Sequence, residues 1–379
     1  MALNNYKLGD LLMRNSEENK DLIYGISDVR GVRNAKGISN TKIDVSGRNL
    51  KTFLVVRPGG FIFNHRVHDK LGLGYNTSDE TYIFTNDYVS FYVKPEVKNR
   101  ILLPDYLYMW YLRPEFDRYM LFKTYGSATL FFSWDNMCEL EIELPDLPTQ
   151  QKYVDVYNAM VANQQAYERS LEDLKLTCDA YIEDLRRKMP CEKIGRYIER
   201  HDIRNGKNGS KNVMGISTSK QFREPTSKVN KNELANYKVC HPRQIGFVQT
   251  THNEKVFTYA FNNTKEDIVV SSVNEVFSTQ EDKLYPEYLC MFFNRTEFDR
   301  YARFHSWGSA RETFTWNDLI EVKIPIPDIA IQKSIAEMYT VYNKRKKINE
   351  QLKAQIKNIC PILIRGSLED GGEPNGEPA

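Results

Sequence analysis

The chain has 379 residues, enough for two or three domains that each bury their own core. Hydrophobic residues make up 41% of the chain and aromatic residues 12%, which excludes wholesale disorder. No stretch approaches the about 18 apolar residues that a membrane-spanning helix needs, and the N-terminus lacks the apolar core of a signal peptide. We therefore expect a cytoplasmic protein.

The charge is unevenly distributed along the chain. The net charge is only +2, but the last 14 residues hold four acidic residues and no basic one, so residues 1–365 carry +6. Residues 1–70 contain 12 Lys and Arg against 7 Asp and Glu, and residues 190–243 contain 12 against 5. Two locally basic regions favour an anionic partner, nucleic acid first, while an ordinary solvated surface is the alternative.

Cysteine and histidine spacing predicts no metal site. The six cysteines show no C-x-x-C pair and are predicted to be buried free thiols of a reducing compartment. His65 and His68 could supply two ligands, but no other Cys/His cluster accompanies them. A loop that contacts solvent or DNA is the preferred interpretation of this histidine pair.

The first half of the chain predicts strands, then a helix, then a closing strand. Residues 53–64, "FLVVRPGGFIFN", have the β-branched and aromatic composition of strands with Gly/Pro punctuation. Residues 104–122, "PDYLYMWYLRPEFDRYMLF", predict a helix with Pro just before an acidic first turn. Residues 139–148, "ELEIELPDLP", predict an alternating strand that stops at proline.

A long helix follows the closing strand. From Thr149 to Met189 there is no Gly or Pro, and apolar residues recur at spacings of three and four. This pattern predicts one helix of some forty residues, roughly 60 Å long.

The second half repeats the first. The pentapeptide "EFDRY" occupies residues 115–119 and again 297–301, and a gap-free register runs from Pro104/Pro286 to Gln150/Gln332. The repeat includes a second long helix, predicted at 329–365, in whose last turn Pro361 should end or kink the helix. The remaining residues, 366–379, are predicted to be a disordered acidic tail.

These elements predict an α+β fold with two tandem α/β globular domains separated by two long helices. The predicted boundaries are 1–147 for the first domain, 148–189 for the first helix, 190–328 for the second domain and 329–365 for the second helix. Each helix exposes an apolar stripe, so we expect the two to pack on each other as a coiled coil. If they run antiparallel, a pseudo-twofold axis relates the two halves.

The predicted symmetry points to DNA. Proteins that read a duplex with two modules usually share its local twofold, and adjacent major-groove faces recur about every 34 Å. A rigid helix pair is long enough to set that spacing. We therefore predict two domains that read two different half-sites separated by a fixed, unread gap.

The loops at the front of each half diverge, whereas the helices match. These loops are rich in Arg, Lys, His, Asn, Gln and Thr, the residue types that bond base edges and phosphates, although loop drift after duplication explains any single residue equally well. The predicted base-reading residues, which follow the strands ending at Phe63 and Phe247, are Asn64, His65, Arg66, Lys70, Gln249, Thr250, Thr251, His252 and Lys255.

Phosphate contacts are predicted from basic residues elsewhere in the same regions. Arg311, beside the second of two Gly-Ser-Ala loops (126–128 and 308–310), is a further candidate, although loop packing explains those glycines equally well. The other phosphate candidates are Arg30, Arg33, Lys36, Arg204, Lys207, Lys211, Lys220 and Arg223.

No catalytic constellation is predicted. The chain has no Asn/Asp-Pro-Pro-Tyr/Phe run, no glycine-rich cofactor loop after a strand, and no P-loop. A self-sufficient methyltransferase or nuclease is therefore disfavoured. A protein–protein adaptor with two similar domains on a helical rod is the main alternative, and it would lack salt-dependent DNA affinity.

With these residues in place, the chain resembles the specificity subunits of type I restriction-modification systems over residues 1 to about 365. The resemblance rests on the doubled run from the Gly-Ser-Ala loops through Trp134/Trp316 into "PDLPTQQKYV" and "PDIAIQKSI". These resemble the family's Pro-Pro-Leu-x-x-Gln-x-x-Ile helix entry, with Asp146 and Asp328 in place of the second proline.

The resemblance implies two target-recognition domains, each specifying half of a bipartite, asymmetric DNA site. It also implies that the helices set the gap and dock two modification subunits, with restriction subunits added for cleavage. Methyl transfer and its S-adenosylmethionine would then belong to the partner chains. The recognition part of a related system that cleaves on both sides of its site would give the same sequence features.

Overall fold

The computed structural model describes residues 3–41, 44–126, 129–207, 209–226, 229, 234–250, 256–308 and 312–372. The chain divides into two compact units. Unit 1 comprises residues 1–166 and 349–379, and unit 2 comprises residues 167–348. Each unit combines short antiparallel strand pairs with helices, so the predicted α+β class with two domains and two long helices is confirmed.

Unit 1 is built on a four-stranded antiparallel sheet in the order β2-β10-β6-β8. The strands of this unit are β1 (Asn4–Lys7), β2 (Leu12–Asn15), β3 (Arg30–Val32), β4 (Ile38–Asn40), β5 (Leu54–Val56), β6 (Phe61–Asn64), β7 (Arg66–Val67), β8 (Leu73–Tyr75), β9 (Tyr82–Phe84), β10 (Tyr88–Val93), β11 (Leu130–Phe131) and β12 (Glu141–Leu144). Its short helices are α1 (Leu8–Leu11), α2 (Pro104–Tyr111), α3 (Pro114–Lys123) and α4 (Trp134–Cys138).

The alternation of side chains along β6 separates two cores. Phe61 and Phe63 pack into the main cluster beneath α2 and α3, whereas Ile62 packs with Val56 and Phe84 on the other face of the sheet. All five side chains are buried, which is the two-residue period expected of a strand covered on both faces. The strands predicted in "FLVVRPGGFIFN" are confirmed as β5 and β6.

Unit 2 repeats this arrangement with a four-stranded sheet in the order β14-β21-β18-β19. Its strands are β13 (Cys191–Lys193), β14 (Ile198–His201), β15 (Gly215–Ile216), β16 (Phe222–Arg223), β17 (Lys238–Cys240), β18 (Ile245–Phe247), β19 (Tyr259–Phe261), β20 (Ile268–Val270), β21 (Glu275–Thr279) and β22 (Lys323–Pro325). Its short helices are α6 (Pro286–Phe293), α7 (Thr296–Phe304) and α8 (Trp316–Ile320).

The helix that contains "EFDRY" is shorter than predicted, because each copy is broken in two. In unit 1, Pro114 disfavours the helical conformation for Arg113, which is extended at ψ 143°, so α2 and α3 are separate helices. In unit 2, Thr296 replaces the proline, and Arg295 is still extended at ψ 142°. There the side chain of Asn294 donates to the Cys290 carbonyl at 2.9 Å and satisfies the end of α6.

Two long helices complete the chain, α5 (Leu147–Lys188) and α9 (Ile329–Gly372). Within unit 1 their segments run antiparallel, since Tyr153 lies against Gly366 while Gln164 donates to Asn349 at 2.9 Å. Within unit 2, Ser170 bonds Arg345 at 2.8 Å, and Ile182 and Ile335 share one apolar cluster. Both helices were predicted from the three- and four-residue spacing of their apolar residues, and both are present.

The end of α9 corrects the predicted boundary at residue 365. The helix continues through Pro361 to Gly372, so residues 366–372 are helical and do not belong to a disordered tail. Tertiary contacts offset the backbone hydrogen bond that Pro361 cannot make, because Ser367 is buried and bonds Tyr106 at 2.7 Å. Asp370 accepts from Lys152 at 2.7 Å. The rest of the predicted tail, 373–379, lies outside the described residues, and the pseudo-twofold relation between the halves stays a prediction.

Candidate nucleic-acid interface

Lys36 and Lys220, both predicted phosphate contacts, are structural instead. The Lys36 ammonium donates to Asp117 at 2.8 Å and to the Tyr111 carbonyl at 2.6 Å, and its side chain is only 4% exposed. Lys220 makes the equivalent bonds to Asp299 at 2.8 Å and to the Phe293 carbonyl. Burial lowers the pKa of both lysines, and the facing aspartate opposes that shift.

These ion pairs explain why the pentapeptide is repeated. Asp117 and Asp299 are the aspartates of the two "EFDRY" copies, and each anchors the turn of a β-hairpin to the helix. Both lysines have φ near +63°, a left-handed conformation that costs a non-glycine residue about 1 kcal/mol or more. A glycine would relieve the strain but would leave the aspartate without its cation.

The tight turn that joins β6 to β7 holds three of the predicted base-reading residues. The Asn64 side-chain oxygen accepts from the Arg66 backbone N–H at 3.0 Å, which fixes the turn. The His65 ring bonds the Asp87 carbonyl at 2.6 Å. The Arg66 side chain is 56% exposed and lies 3.9 Å from Asp87, a separation that leaves its guanidinium available to a ligand.

Three loops of unit 1 meet at this turn. A Cβ atom on Gly72 would lie 3.6 Å from Asn34 Oδ1 and 3.8 Å from Asn64 Cβ, so these residues lie side by side. The hairpin that carries Arg33 is tethered to β8 by a bond of 2.7 Å from the Gly37 N–H to the Leu73 carbonyl. Burial is the main cause that lowers the pKa of Lys36, and the exposed Lys70 is close enough to lower it further.

An aromatic surface borders the same turn and was missed at the sequence level. The His65 ring stacks on Phe131 at 5.6 Å, and Phe131 stacks on Tyr125 at 6.0 Å. Tyr125 is 59% exposed, and its equivalent in unit 2, Trp307, is 75% exposed. An aromatic residue directly before the matched Gly126 and Gly308 in both copies was the available signal. Exposed aromatic faces beside basic loops suit contacts with bases and sugars.

Unit 2 places Gln249 and Thr250 at the equivalent position. The Gln249 carbonyl accepts from the Phe314 N–H at 2.8 Å, as the His65 carbonyl accepts from Phe132 at 2.9 Å. Thr250 bridges to Thr313 on the neighbouring hairpin. The two domains therefore present different side chains from the same backbone position.

The Gln249 amide is held by a buried carboxylate. Glu275, with a 4% exposed side chain, accepts from Gln249 at 2.9 Å, from Arg200 at 2.8 and 2.7 Å, and from Lys238 at 3.3 Å. Arg200 is itself 49% exposed. This network was not predicted, because Glu275 and Arg200 lie on different strands and come together only through the β14–β21 pairing.

The other predicted phosphate contacts are dispersed. Arg30 packs over the Tyr82 ring at 4.5 Å and donates to backbone carbonyls of its own loop. Arg204 pairs with Asp202 at 2.8 Å and donates to the Asn236 carbonyl at 2.8 Å. The exposed candidates, which bring charge to the surface of unit 2, are Lys207, Lys211 and Arg223. Four further candidates lie outside the described residues: Thr251, His252, Lys255 and Arg311.

The described parts of the chain contain no group of three or more His, Cys, Asp or Glu residues arranged to hold a metal ion. In those same parts, no helix is both long and apolar enough to cross a membrane.

Residues 192–358 match the family described as type I restriction modification DNA specificity domain. The match covers most of the second repeat of the chain. The resemblance to type I specificity subunits that the doubled motif predicted is thereby confirmed. Among curated proteins, no sequence matches the chain.

One solved structure is similar enough to show the fold of the chain, and two others are similar with lower scores. The type I S subunit from M. genitalium matches with a TM-score of 0.58 at 10% identity, over 100% of this chain and 97% of that chain. A chain from a study of complex assembly and conformational transition of the type I R-M system matches with a TM-score of 0.45 at 13% identity, over 97% and 98% of the two chains. The HsdS subunit from Thermoanaerobacter tengcongensis matches with a TM-score of 0.38 at 12% identity, over 98% and 97%.

Proposed function

We propose that this chain is the DNA-reading specificity subunit of a type I restriction-modification complex. Its first domain (1–147) and second domain (190–328) each read one half of a bipartite, asymmetric site. The long helices set the gap between the half-sites and dock two modification subunits. The base-reading residues of the first domain are Asn64, His65, Arg66 and Lys70, with Arg33 on the phosphates.

One observation carries the proposal: the scaffold of the two domains matches while the exposed loop differs. The buried lysine–aspartate pairs are the same in both units, with identical partners and nearly identical distances. At the turn after the strand, unit 1 carries His65 and Arg66 where unit 2 carries Gln249 and Thr250. Arg favours guanine and Gln favours adenine in the major groove, so this difference suits two unlike half-sites.

The chain acts without catalysis of its own in this proposal. Methyl transfer, with S-adenosylmethionine as the methyl donor, belongs to the modification subunits, and cleavage belongs to restriction subunits that join the complex. The complex works in the cytoplasm on double-stranded DNA, where affinity falls steeply with salt.

The test is to co-express this chain with the modification subunit encoded beside it, in a host that lacks methylation, and to map modified bases across the genome. A bipartite methylated motif with a fixed gap, absent when this chain is omitted, supports the proposal. A stable complex that adds no methylation, together with DNA affinity that salt does not change, contradicts it and favours the protein–protein adaptor.

A further inference from the structure

A groove of about 760 Å³ opens on unit 1 between the start of α3 and the last turns of α9. Its lining is partly apolar and partly charged. Ile362, which is 65% exposed, and Leu368 supply apolar surface, and Glu115 and Glu369 supply carboxylates. Arg113 lines the inner wall. None of these features is used by the candidate nucleic-acid interface.

Arg113 lines the groove, and among the described residues only its Nε has a hydrogen-bond partner. Its Nε donates to the Trp110 carbonyl at 3.2 Å, and the guanidinium lies 4.3 Å from the centre of the Trp110 ring. Among the described residues, its two Nη atoms have no hydrogen-bond partner and no ion pair. Partial burial lowers the pKa of Arg113 because it removes water that would solvate the charge, and the nearby carboxylate of Glu115 opposes that shift only in part.

The equivalent arginine of unit 2 is paired with two carboxylates. Arg295 donates to Asp179 at 3.0 Å and to Glu183 at 2.6 Å, and its side chain is only 7% exposed. Both carboxylates lie on the last turns of α5, the helix segment that packs on α6 and α7.

The repeat shows what unit 1 has in place of those carboxylates. The register of Gln150 and Gln332 continues along the long helices, where Cys178 is equivalent to Cys360 and Ile182 to Ile364, all four buried. The same register aligns Asp179 with Pro361 and Glu183 with Arg365. Unit 1 thus keeps the arginine and lacks both of the acidic residues that bind its counterpart.

We infer that the groove of unit 1 binds an apolar segment of a partner protein, one carboxylate of which takes the place on Arg113 that Asp179 and Glu183 take on Arg295. The mixed lining favours a protein segment over DNA. Glu115 and Glu369 would repel a run of phosphates, while Ile362 and Leu368 suit apolar side chains beside one carboxylate. The inference rests on the proposed function for the identity of the partner, the modification subunit.

The experiment compares three variants of the full chain for binding to purified modification subunit. Arg113→Met removes the cation. The double variant Pro361→Asp/Arg365→Glu restores the acidic residues of unit 2 and so fills the site from within the chain. Arg118→Met is the control, because Arg118 is an exposed arginine of α3, the helix that begins directly after Arg113, and it pairs with Glu115. Thermal unfolding of each variant identifies any that fails to fold.

We expect wild type and Arg118→Met to bind two modification subunits, as measured by the mass of the complex. We expect Arg113→Met and the double variant to weaken binding of one subunit by about tenfold or more, since loss of a buried charge pair raises the dissociation rate. If Arg113→Met unfolds, the double variant still tests the inference, because that variant keeps Arg113 and adds ion pairs to it.

Unchanged binding of two subunits by the double variant would overturn the inference and leave the proposed function intact. If wild type binds no modification subunit at all, the proposed function fails, and the partner named here fails with it.

Discussion

The buried lysine of each hairpin turn has the same backbone conformation and the same kind of partners in both domains. Lys36 and Lys220 share a backbone conformation, a burial and a pair of acceptors. A lysine in the left-handed conformation is retained because its ammonium bonds both an aspartate and a helix-end carbonyl. The lysine ammonium therefore attaches the hairpin to the helix and does not bind DNA.

Asp117→Ala tests this role. We expect it to destabilise unit 1 by about 3–5 kcal/mol, because it leaves the Lys36 ammonium buried without its carboxylate. Hydrogen exchange at the β3–β4 hairpin and α3 measures the effect where it occurs. Arg118→Ala on the same helix changes only an exposed pair and should cost less than about 0.5 kcal/mol. An equally small effect for Asp117→Ala would contradict the structural role of the pair.

Arg66 is the residue at which base reading in the first domain can be tested alone. Its guanidinium is more than half exposed and only loosely paired with Asp87. We expect Arg66→Ala to relax sequence preference in one half-site, with about 1–3 kcal/mol less discrimination at one base pair. The measurement is the methylated motif of the co-expressed complex. The matched control is Arg30→Ala, because Arg30 donates to a backbone carbonyl of its own loop. A simultaneous change in both half-sites would disprove the modular assignment.

At the scale of elements, the glutamine of each helix entry has a structural explanation. Gln150 accepts from the Leu103 N–H at 3.0 Å and donates to the carbonyls of Ile101 and Pro145 at 2.8 and 2.9 Å. Gln332 makes the same three bonds in unit 2, at 2.8, 2.7 and 2.8 Å. Each glutamine thus joins the start of a long helix to the loop before α2 or α6.

Gln150→Glu should break the hydrogen bonds that join the long helix to this loop. A carboxylate cannot donate to the two carbonyls, so a fully buried site would hold two unsatisfied acceptors beside a negative charge. We expect a loss of about 2–4 kcal/mol in the free energy of unfolding, measured by urea denaturation. The neighbouring Gln151→Glu is the control, because Gln151 is exposed and its side chain bonds the exposed Asp155. Equal midpoints for the two variants would show that the buried glutamine contributes nothing to the helix entry.

Elements with a strong period were predicted well from the sequence, and their ends were not. The start of α5 was placed within two residues, because the apolar spacing and the preceding prolines both mark it. The break between α2 and α3 was missed, since Arg113 is followed by a proline in one copy but Arg295 by a threonine in the other. The continuation of α9 past Pro361 depends on contacts of Ser367 and Asp370 that no local pattern reveals.

At the scale of the whole molecule, the duplication was the signal that made the fold predictable. It could not identify which polar residues are structural. Lys36 and Arg33 lie three positions apart with similar composition around them, yet one is buried against Asp117 and the other is exposed. That distinction is set by how the hairpin folds onto α3, which involves residues about eighty positions away.

The role of the long helices as a ruler is the prediction that belongs to the molecule as a whole. Seven residues inserted after Ala166 in α5, with seven more after Ile348 in α9, keep the heptad spacing of both helices. The insertions also leave the facing pairs Gln164–Asn349 and Ser170–Arg345 intact on either side. Each insertion adds about 10 Å of helix at 1.5 Å per residue.

We expect the methylated motif of this variant to keep both half-sites and to gain about three base pairs of gap, since the DNA rises by about 3.4 Å per base pair. Genome-wide mapping of modified bases in the co-expression host measures both properties together. The same seven residues appended after Ala379 provide the control, which should leave the gap unchanged. A motif with the original gap, recovered from a variant that folds and methylates, would mean that something other than helix length fixes the spacing.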